Sequence, residues 1–253
     1  MKPSYLISVI LMTAVGTVAC GDDDEATPTA TDPTPQTTAA ATIVAPTTSA
    51  PSADPAGDVL FADTFEDDRN GWGLVDGEFG TTSYADGDYV WVFTGSGAHW
   101  LPSVLGDQYD AGELEMLDVV VRADVTIDNG GGVAGVFCRE TPDTDAEWQW
   151  YEFVARDGYA AIRRTDSESN LDVLAETDDV SLPMGEPFTV EASCVDGDDG
   201  TAQLTMSVND EPLLEASDDD PLDNGVSGIQ AYTYPVHDQI DIRWHEFSVA
   251  QSS

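Results

Sequence analysis

The stretch DVVVRADVTI at residues 118–127 decides the fold class of this 253-residue chain. Apolar side chains occupy every second position from Val119 to Ile127, and the positions between them are mostly Asp, Arg and Thr. A period of two places alternate side chains on opposite faces of an extended strand, whereas an amphipathic helix needs a period of about 3.6. The stretch therefore predicts a β-strand with one buried face.

The same alternation recurs towards the C-terminus. Further alternating sets are Phe188, Val190, Ala192 and Cys194, then Leu204, Met206 and Val208, and finally Ile240, Ile242 and Trp244. After Trp244 the pattern resumes at Phe247, one residue out of step, which predicts a β-bulge. Turn residues such as Asp157-Gly158 separate the strands, and helical spacing is lacking. Many short strands without crossover helices predict an all-β, two-sheet antiparallel sandwich.

Composition divides the chain into residues 1–19, 20–57 and 58–253. The first part contains a run of about eleven apolar residues, which is the length of a signal peptide and too short to span a bilayer. Between residues 26 and 56, 24 of 31 residues are Ala, Thr or Pro. That composition buries little apolar surface, so it predicts a disordered linker. The 196 residues of the third part are enough for one sizeable core.

The segment Gly16-Thr17-Val18-Ala19-Cys20 resembles a bacterial lipoprotein signal, in which small residues precede a cysteine. Thr17 departs from the family, which usually has Leu or another aliphatic residue there. The resemblance implies cleavage after Ala19, acylation of Cys20, and a lipid anchor that holds the protein on the extracytoplasmic side of the cell membrane. An ordinary secretory signal with a coincidental cysteine is the alternative.

The chain after the predicted signal is strongly acidic. It has seven arginines and 49 acidic residues, a net charge of −42. Such a field repels nucleic acid and anionic lipid head groups, so we predict no nucleic-acid partner. A solvated acidic surface and a calcium site are two explanations of the acidity. The calcium alternative would use Asp196, Asp198 and Asp199, or Asp218, Asp219, Asp220 and Asp223. Neither run has EF-hand spacing, so we predict no metal site and no cofactor.

Cys138 and Cys194 remain as a pair once Cys20 is assigned to acylation. Thiols of an exported protein tend to oxidise, and both cysteines lie on the inward faces of predicted strands. We therefore predict a Cys138–Cys194 disulfide. Two buried free thiols, or a metal site, are the alternatives, although the chain has only three histidines and no Cys-x-x-Cys.

Four short segments resemble concanavalin A-like and laminin-G-like jelly-roll domains. They are LFADTF at residues 60–65 with Gly71-Trp72 after it, SVNDEPL at 207–213, NGVSGI at 224–229 and IDIRWHEFSV at 240–249. They follow one another in the family's order, although Asp210 replaces the usual Gly of the late hairpin. The resemblance implies a jelly-roll sandwich over residues 58–253. It does not fix a function, because this fold carries lectins, glycan hydrolases and adhesion modules.

The segment WQWYEF, which begins at Trp148, supplies the candidate binding residues. Alternation places Trp148, Trp150 and Glu152 on one face of a strand, with Tyr151 and Phe153 towards the core. Exposed tryptophans beside a carboxylate would form a stacking platform for a sugar ring. The alternative is that both tryptophans pack against a loop. Candidate hydrogen-bond donors to such a sugar are Arg139, Arg163 and Arg243.

These patterns predict a membrane-tethered, non-catalytic module that binds a carbohydrate, such as a polysaccharide, or another cell-envelope ligand. The Glu-x-Asp-x-Glu strand of related glucanases and the Gly-x-Ser-x-Gly motif are both missing, so no catalytic residue is assigned. A glycan hydrolase with a divergent active site on the same fold is the second hypothesis. A structural or protein-interaction surface domain is the third. A groove with two carboxylates about 5–10 Å apart would favour the hydrolase.

Overall fold

The computed structural model describes residues 57–94, 100–104, 118–128, 131–141, 149–166, 170–233 and 239–252. Within these ranges there are fifteen β-strands, and no helix has the length and apolar character needed to span a membrane. The strands are β1 (Val59–Asp63), β2 (Asp76–Gly77), β3 (Gly80–Ala85), β4 (Asp88–Thr94), β5 (Trp100–Val104), β6 (Val119–Ile127), β7 (Gly132–Glu140), β8 (Gln149–Arg156), β9 (Tyr159–Asp166), β10 (Leu171–Thr177), β11 (Phe188–Asp196), β12 (Ala202–Val208), β13 (Glu211–Asp218), β14 (Val226–Thr233) and β15 (Gln239–Gln251).

The strands form two antiparallel sheets. The nine-stranded sheet has the order β13-β12-β11-β6-β15-β4-β3-β2, and β1 adds to β15. The six-stranded sheet has the order β10-β9-β8-β7-β14-β5. Inward side chains of both sheets share one hydrophobic core. The predicted fold class, an all-β sandwich of two antiparallel sheets, is confirmed.

The strand β15 lies inside the nine-stranded sheet. One of its edges pairs with β6, and its other edge pairs first with β4 and then with β1. The register with β6 shifts between Trp244 and Glu246, so His245 is an extra residue in the strand. Because of this shift, both Trp244 and Phe247 are buried in the core. The bulge predicted from the slipped alternation is confirmed.

Alternation explains the core of the nine-stranded sheet. In β11 every second residue from Phe188 to Cys194 is buried, while the residues between them are only half-buried. The strand β12 repeats this pattern with Leu204 and Met206 facing inward. Burial of a large apolar side chain contributes roughly 1.5–3 kcal/mol, so each of these inward positions stabilises the folded domain.

An aromatic cluster packs around Trp72. Its other rings belong to Phe61, Phe65, Tyr89 and Phe247, all with centroids within 6.4 Å of Trp72. The buried carboxylate of Asp63 accepts hydrogen bonds from the backbone N of Phe65 at 2.9 Å and from Nε1 of Trp72 at 2.7 Å. This arrangement gives a physical reason for the LFADTF and Gly71-Trp72 segments, because the aspartate fixes the indole within the core.

A disulfide joins the two sheets. Cys138 belongs to β7 in the six-stranded sheet and Cys194 to β11 in the nine-stranded sheet, and their Cα atoms are 6.7 Å apart. Both residues are fully buried. The predicted Cys138–Cys194 disulfide is therefore confirmed.

Candidate functional site

Two candidate residues from WQWYEF, Trp150 and Glu152, lie on the outer face of the six-stranded sheet, which points away from the core. Tyr151 and Phe153 are buried in the core between the sheets, as predicted. Trp150 and Glu152 point the opposite way, where they lie across from Thr165 and Arg163 of β9. Trp148 lies outside the described residues.

The predicted exposure of Trp150 and Glu152 is wrong. Trp150 is 4% exposed and Glu152 is 2% exposed. The outer face also has hydrophobic packing of its own, so it is not a bare surface that faces solvent. Its apolar cluster consists of Val133, Val154 and Ala161, with Tyr159 and Tyr232 packed against it. An exposed stacking platform therefore cannot include Trp150.

Glu152 forms a buried ion pair with Arg163. The distance between Oε1 of Glu152 and Nη1 of Arg163 is 3.0 Å. The side-chain amide of Gln230 in β14 donates a hydrogen bond from its Nε2 to Oε2 of Glu152 at 2.9 Å. Burial raises the pKa of Glu152 above its ordinary value, although the guanidinium of Arg163 and the amide of Gln230 act in the opposite direction. Side chains from the three strands β8, β9 and β14 thus form one connected polar cluster.

Two tyrosine rings flank the guanidinium of Arg163. Its Cζ atom lies 5.6 Å from the ring centroids of both Tyr159 and Tyr232. Its Nη2 donates a hydrogen bond to the hydroxyl of Tyr232 at 2.6 Å. Both tyrosines are half-buried, so part of each ring meets solvent. Cation–π attraction and the hydrogen bond together hold the rings in place.

Among the side chains of this sheet whose burial the structure describes, the most accessible large apolar ones lie on its edge strand β10. Leu171 is 49% exposed and lies opposite Thr165, and Val173 is 50% exposed and lies opposite Arg163. A molecule that approaches this edge would meet two aliphatic side chains and then the tyrosine rings. The buried ion pair lies behind those rings.

A second buried carboxylate, Glu140, ends strand β7. It lies opposite Val226 of β14, and alternation from Gly228, which faces Phe137, places both on the outer face. Its Oε2 is buried and has no hydrogen-bond partner among the described residues. Burial raises the pKa of Glu140 to about 7. The outer face therefore has two buried carboxylates on neighbouring strands, Glu140 and Glu152.

The structure places Arg139 away from this face. Arg139 has a φ of 55°, in the left-handed region, and its side chain is fully buried. Its Nη2 lies 2.8 Å from Oδ1 of Asp196, and its Nη1 donates to the carbonyl of Leu222 at 3.1 Å. Because Asp196 belongs to the nine-stranded sheet, this ion pair links the sheets. The prediction that Arg139 helps to bind a sugar is not supported.

Arg243 lies on the other sheet altogether. It belongs to β15, and its Nε lies 2.8 Å from Oδ2 of Asp128. On the same face the ring of His245 forms hydrogen bonds through Nδ1 with Oδ1 of Asp88 at 2.8 Å and through Nε2 with Oγ1 of Thr126 at 2.7 Å. These polar groups therefore satisfy one another. Of the three predicted arginines, only Arg163 lies beside Glu152.

Two aspartates of the calcium alternative, one from each run, have other partners. Asp196 pairs with Arg139, and Asp218 lies 3.0 Å from Nη1 of Arg164. Asp218 also accepts a hydrogen bond from the hydroxyl of Tyr151 at 2.7 Å. Within the part of the chain that the structure describes, no group of three or more His, Cys, Asp or Glu side chains could hold a metal ion. Calcium binding stays an untested alternative.

Sequence reasoning missed Gln230, Tyr232, Tyr159 and Glu140. Gln230 and Tyr232 reach the site because β14 pairs with β7, which is about ninety residues earlier in the chain, and alternation within one strand does not reveal such pairing. Tyr159 could have been predicted from the sequence, because the Asp157-Gly158 turn alone places it opposite Arg156.

No protein-family model matches the chain, and no curated protein matches its sequence significantly. Solved structures do resemble its fold. A protein of unknown function with a galectin-like fold from Bacillus subtilis is 14% identical, with a TM-score of 0.52 over 77% of this chain and 96% of that chain.

Two further structures have names that refer to carbohydrates. A prokaryotic β-1,3-1,4-glucanase (lichenase) derived from a mouse hindgut metagenome is 12% identical, with a TM-score of 0.54 over 76% of this chain and 99% of that one. The carbohydrate recognition domain of Emp47p is 11% identical, with a TM-score of 0.54 over 80% and 100% of the two chains. At such identities the likeness shows the fold alone, a galectin-like and concanavalin A-like jelly roll.

Proposed function

We propose that this protein is a carbohydrate-binding module that holds a glycan on the outer face of its six-stranded sheet without cleaving it. One observation carries the proposal: Arg163 is fixed between the rings of Tyr159 and Tyr232 while it pairs with Glu152. Side chains that are already ordered lose little conformational entropy when a ligand binds. The carbohydrate-related names of two structural neighbours support the same class of ligand.

In this proposal the aromatic and polar groups have separate roles. The exposed parts of the Tyr159 and Tyr232 rings contact the apolar face of a sugar ring. Beside them, the exposed carboxylate of Glu176 accepts hydrogen bonds from sugar hydroxyls and the guanidinium of Arg156 donates to hydroxyl oxygens. The buried Glu152, Arg163 and Gln230 hold the Tyr232 ring in place behind them. A few placed polar groups within a mainly apolar site are typical of small-ligand recognition, where they set the orientation of the ligand.

Affinity electrophoresis in gels that contain polysaccharide tests the proposal. The substitutions Tyr232→Ala and Arg163→Gln should each weaken the affinity obtained from gel retardation about tenfold, which corresponds to about 1.4 kcal/mol of binding free energy. Arg122→Gln is the matched control, because Arg122 also pairs with a carboxylate, Glu191, but in the nine-stranded sheet. If all three variants bind as the wild type does, the ligand lies elsewhere.

A glycan hydrolase is the second candidate, and the buried carboxyl of Glu140 is the observation that favours it. A carboxyl whose pKa is raised to about 7 keeps its proton near neutral pH, as a general acid must. Glu152 would then be the second carboxylate of the pair. The contacts of Glu152 with Arg163 and Gln230 favour the binding module instead, because they already occupy both of its oxygens.

Release of reducing sugar ends separates the two candidates. The non-catalytic proposal expects that the full chain leaves each polysaccharide it binds at its original length. If the full chain shortens a bound glycan and Glu140→Gln abolishes that activity, the hydrolase replaces the binding module as the proposed function.

We also propose that an acylated Cys20 tethers the module to the extracytoplasmic side of the membrane. The support is the segment at residues 16–20 and the linker after it, whose extended limit is on the order of 100 Å at about 3.1 Å per residue. Cys20→Ser should move the protein from the membrane fraction to the soluble fraction. Thr17→Leu keeps the cysteine and should stay with membranes. Equal membrane retention of Cys20→Ser would contradict a lipid anchor.

A further inference from the structure

We propose that the ligand is an uncharged, hydroxyl-rich glycan and that the outer face of the six-stranded sheet excludes anionic glycans such as polyuronates and sulfated chains. This inference rests on the proposed carbohydrate-binding function. It comes from the ion pairs of the arginines, since residues 58–253 contain seven arginines and no lysine.

Six of the seven arginines are already paired with carboxylates. The pairs, with N–O distances between 2.7 and 3.0 Å, are Arg69–Asp67, Arg122–Asp210, Arg139–Asp196, Arg163–Glu152, Arg164–Asp218 and Arg243–Asp128. An anionic sugar at one of these guanidinium groups would have to share it with a carboxylate of the protein or displace that carboxylate. For Arg163 that exchange would leave the charge of Glu152 buried without its cation, which is strongly unfavourable.

The seventh arginine, Arg156, lies on the outer face and does not make that face basic. Its Cζ atom lies 5.2 Å from the ring centroid of Tyr159, and its Nη1 donates to the carbonyl of Asp157 at 3.1 Å. The hydroxyl of the same tyrosine donates to Glu176 at 3.3 Å. Arg156 and Arg163 are thus balanced on this face by Glu152 and Glu176, and an anion finds no net positive charge there.

The field of the whole domain acts in the same direction. Seven arginines and 43 acidic residues between 58 and 253 give a net charge of −36. A polyanion is repelled over a Debye length of about 8 Å at physiological ionic strength, before it makes any contact. An uncharged glycan does not experience this repulsion.

The polar groups of the face suit hydroxyls. A sugar hydroxyl both donates and accepts a hydrogen bond, so adjacent hydroxyls can donate to the exposed Glu176 and accept from Arg156. A sugar carboxylate or sulfate only accepts, and beside Arg156 it would lie close to the carboxylate of Glu176. The arrangement favours an uncharged ligand at short range as well as at long range.

The experiment compares the full chain on matched polysaccharides by affinity electrophoresis. A neutral β-glucan and its carboxymethylated form share one backbone and differ in charge, and neutral xylan, mannan and galactan are run beside alginate, polygalacturonate and chondroitin sulfate. In 0.15 M salt we expect binding to at least one neutral glycan, at least tenfold weaker binding to its charged counterpart, and no binding to the polyanions. Equal or tighter binding of a charged form overturns the inference while the carbohydrate-binding function stands. Binding to no glycan overturns both.

Charge variants of the face test the local part of the inference. Glu152→Gln and the more exposed Glu176→Gln each remove one negative charge from the outer face, so the ratio of carboxymethylated to neutral binding should rise at least threefold. Glu191→Gln removes a paired carboxylate from the nine-stranded sheet and should leave the ratio unchanged. Unfolding curves identify any variant that fails to fold, and Glu176→Gln keeps the test decisive if Glu152→Gln does so. Folded variants that all show the wild-type ratio overturn the role of this face.

Discussion

The indole of Trp72 donates a hydrogen bond of 2.7 Å to the carboxylate of Asp63, and both residues are buried. The second carboxylate oxygen accepts from the backbone N of Phe65, whose φ of 54° lies in the left-handed region. One side chain thus fixes an unusual backbone turn and the orientation of a core tryptophan.

Removal of this carboxylate should destabilise the domain severely. Asp63→Ala leaves the indole N–H and the backbone N–H of Phe65 buried without an acceptor, at a cost of about 2–4 kcal/mol in the free energy of unfolding. Urea unfolding followed by tryptophan fluorescence measures the change. Asp198→Ala, at an exposed loop position, is the control and should lie within about 0.5 kcal/mol of the wild type. A loss of similar size in both variants would contradict a special role for Asp63.

Reduction of the disulfide should lower stability without abolishing the sandwich. A loop of about 57 residues between Cys138 and Cys194 corresponds to about 4 kcal/mol in the chain-entropy account of disulfides. Wild-type protein should therefore unfold at a lower urea concentration when dithiothreitol is present. The double variant Cys138→Ala/Cys194→Ala should be insensitive to dithiothreitol. An equal effect of the reductant on both proteins would assign it to something other than this bond.

The buried carboxyl of Glu140 makes stability depend on pH. Its pKa is raised to about 7 in the folded protein, from 4.5 for a free side chain. Below about pH 4.5 the group is neutral in both states, and between the two values only the unfolded chain releases the proton. Because of this group, the free energy of unfolding falls by about 3 kcal/mol as pH rises from 4.5 to about 7. Above pH 7 the effect of the group on stability is constant.

Glu140→Gln should remove that dependence. Relative to the wild type, the variant should gain about 3 kcal/mol in the free energy of unfolding between pH 4.5 and pH 8. Glu211→Gln, in an exposed hairpin, controls for the loss of one charge and should show no such gain. Parallel curves of unfolding free energy against pH for the wild type and Glu140→Gln would mean that the carboxyl is solvated.

Salt should stabilise the domain. At a net charge of −36, repulsion among carboxylates opposes folding, and ions shorten its range from about 30 Å at 0.01 M to about 3 Å at 1 M. We expect the melting temperature to rise by about 5 °C between these concentrations, at roughly 2–4 °C per kcal/mol. NaCl and KCl should act alike, because screening depends on ionic strength. A flat response would show that the acids are compensated locally, and a rise with 1 mM CaCl₂ alone would reveal a calcium site.

The fold could be predicted because period-two alternation is a local property. The inward sets of β11, β12 and β15 follow directly from it, and even the slip after Trp244 marked a real bulge. The disulfide also followed, because alternation placed Cys138 and Cys194 on inward faces. Pairing between strands could not be predicted in this way. Arg243 was therefore grouped with Glu152, although the two lie on different sheets.

The candidate site was only half predictable. Alternation correctly turned Trp150 and Glu152 away from the core, but it does not show whether the other side of a sheet meets solvent. Here both residues are buried on that side, which also has an apolar cluster of its own. The sequence offered Arg139 only as a possible hydrogen-bond donor, and local alternation reveals neither its left-handed backbone nor its full burial.

The position of β15 restricts the order in which this protein can acquire its structure. The strand spans Gln239–Gln251, yet it fills the gap between β6 on one side and β4 and β1 on the other. While the ribosome still holds these residues, the strands before them lack the strand that joins β6 to β4 and β1. The nine-stranded sheet can therefore close only after residues 239–251 have emerged, and until then β4 and β6 present unpaired edges to any chaperone nearby.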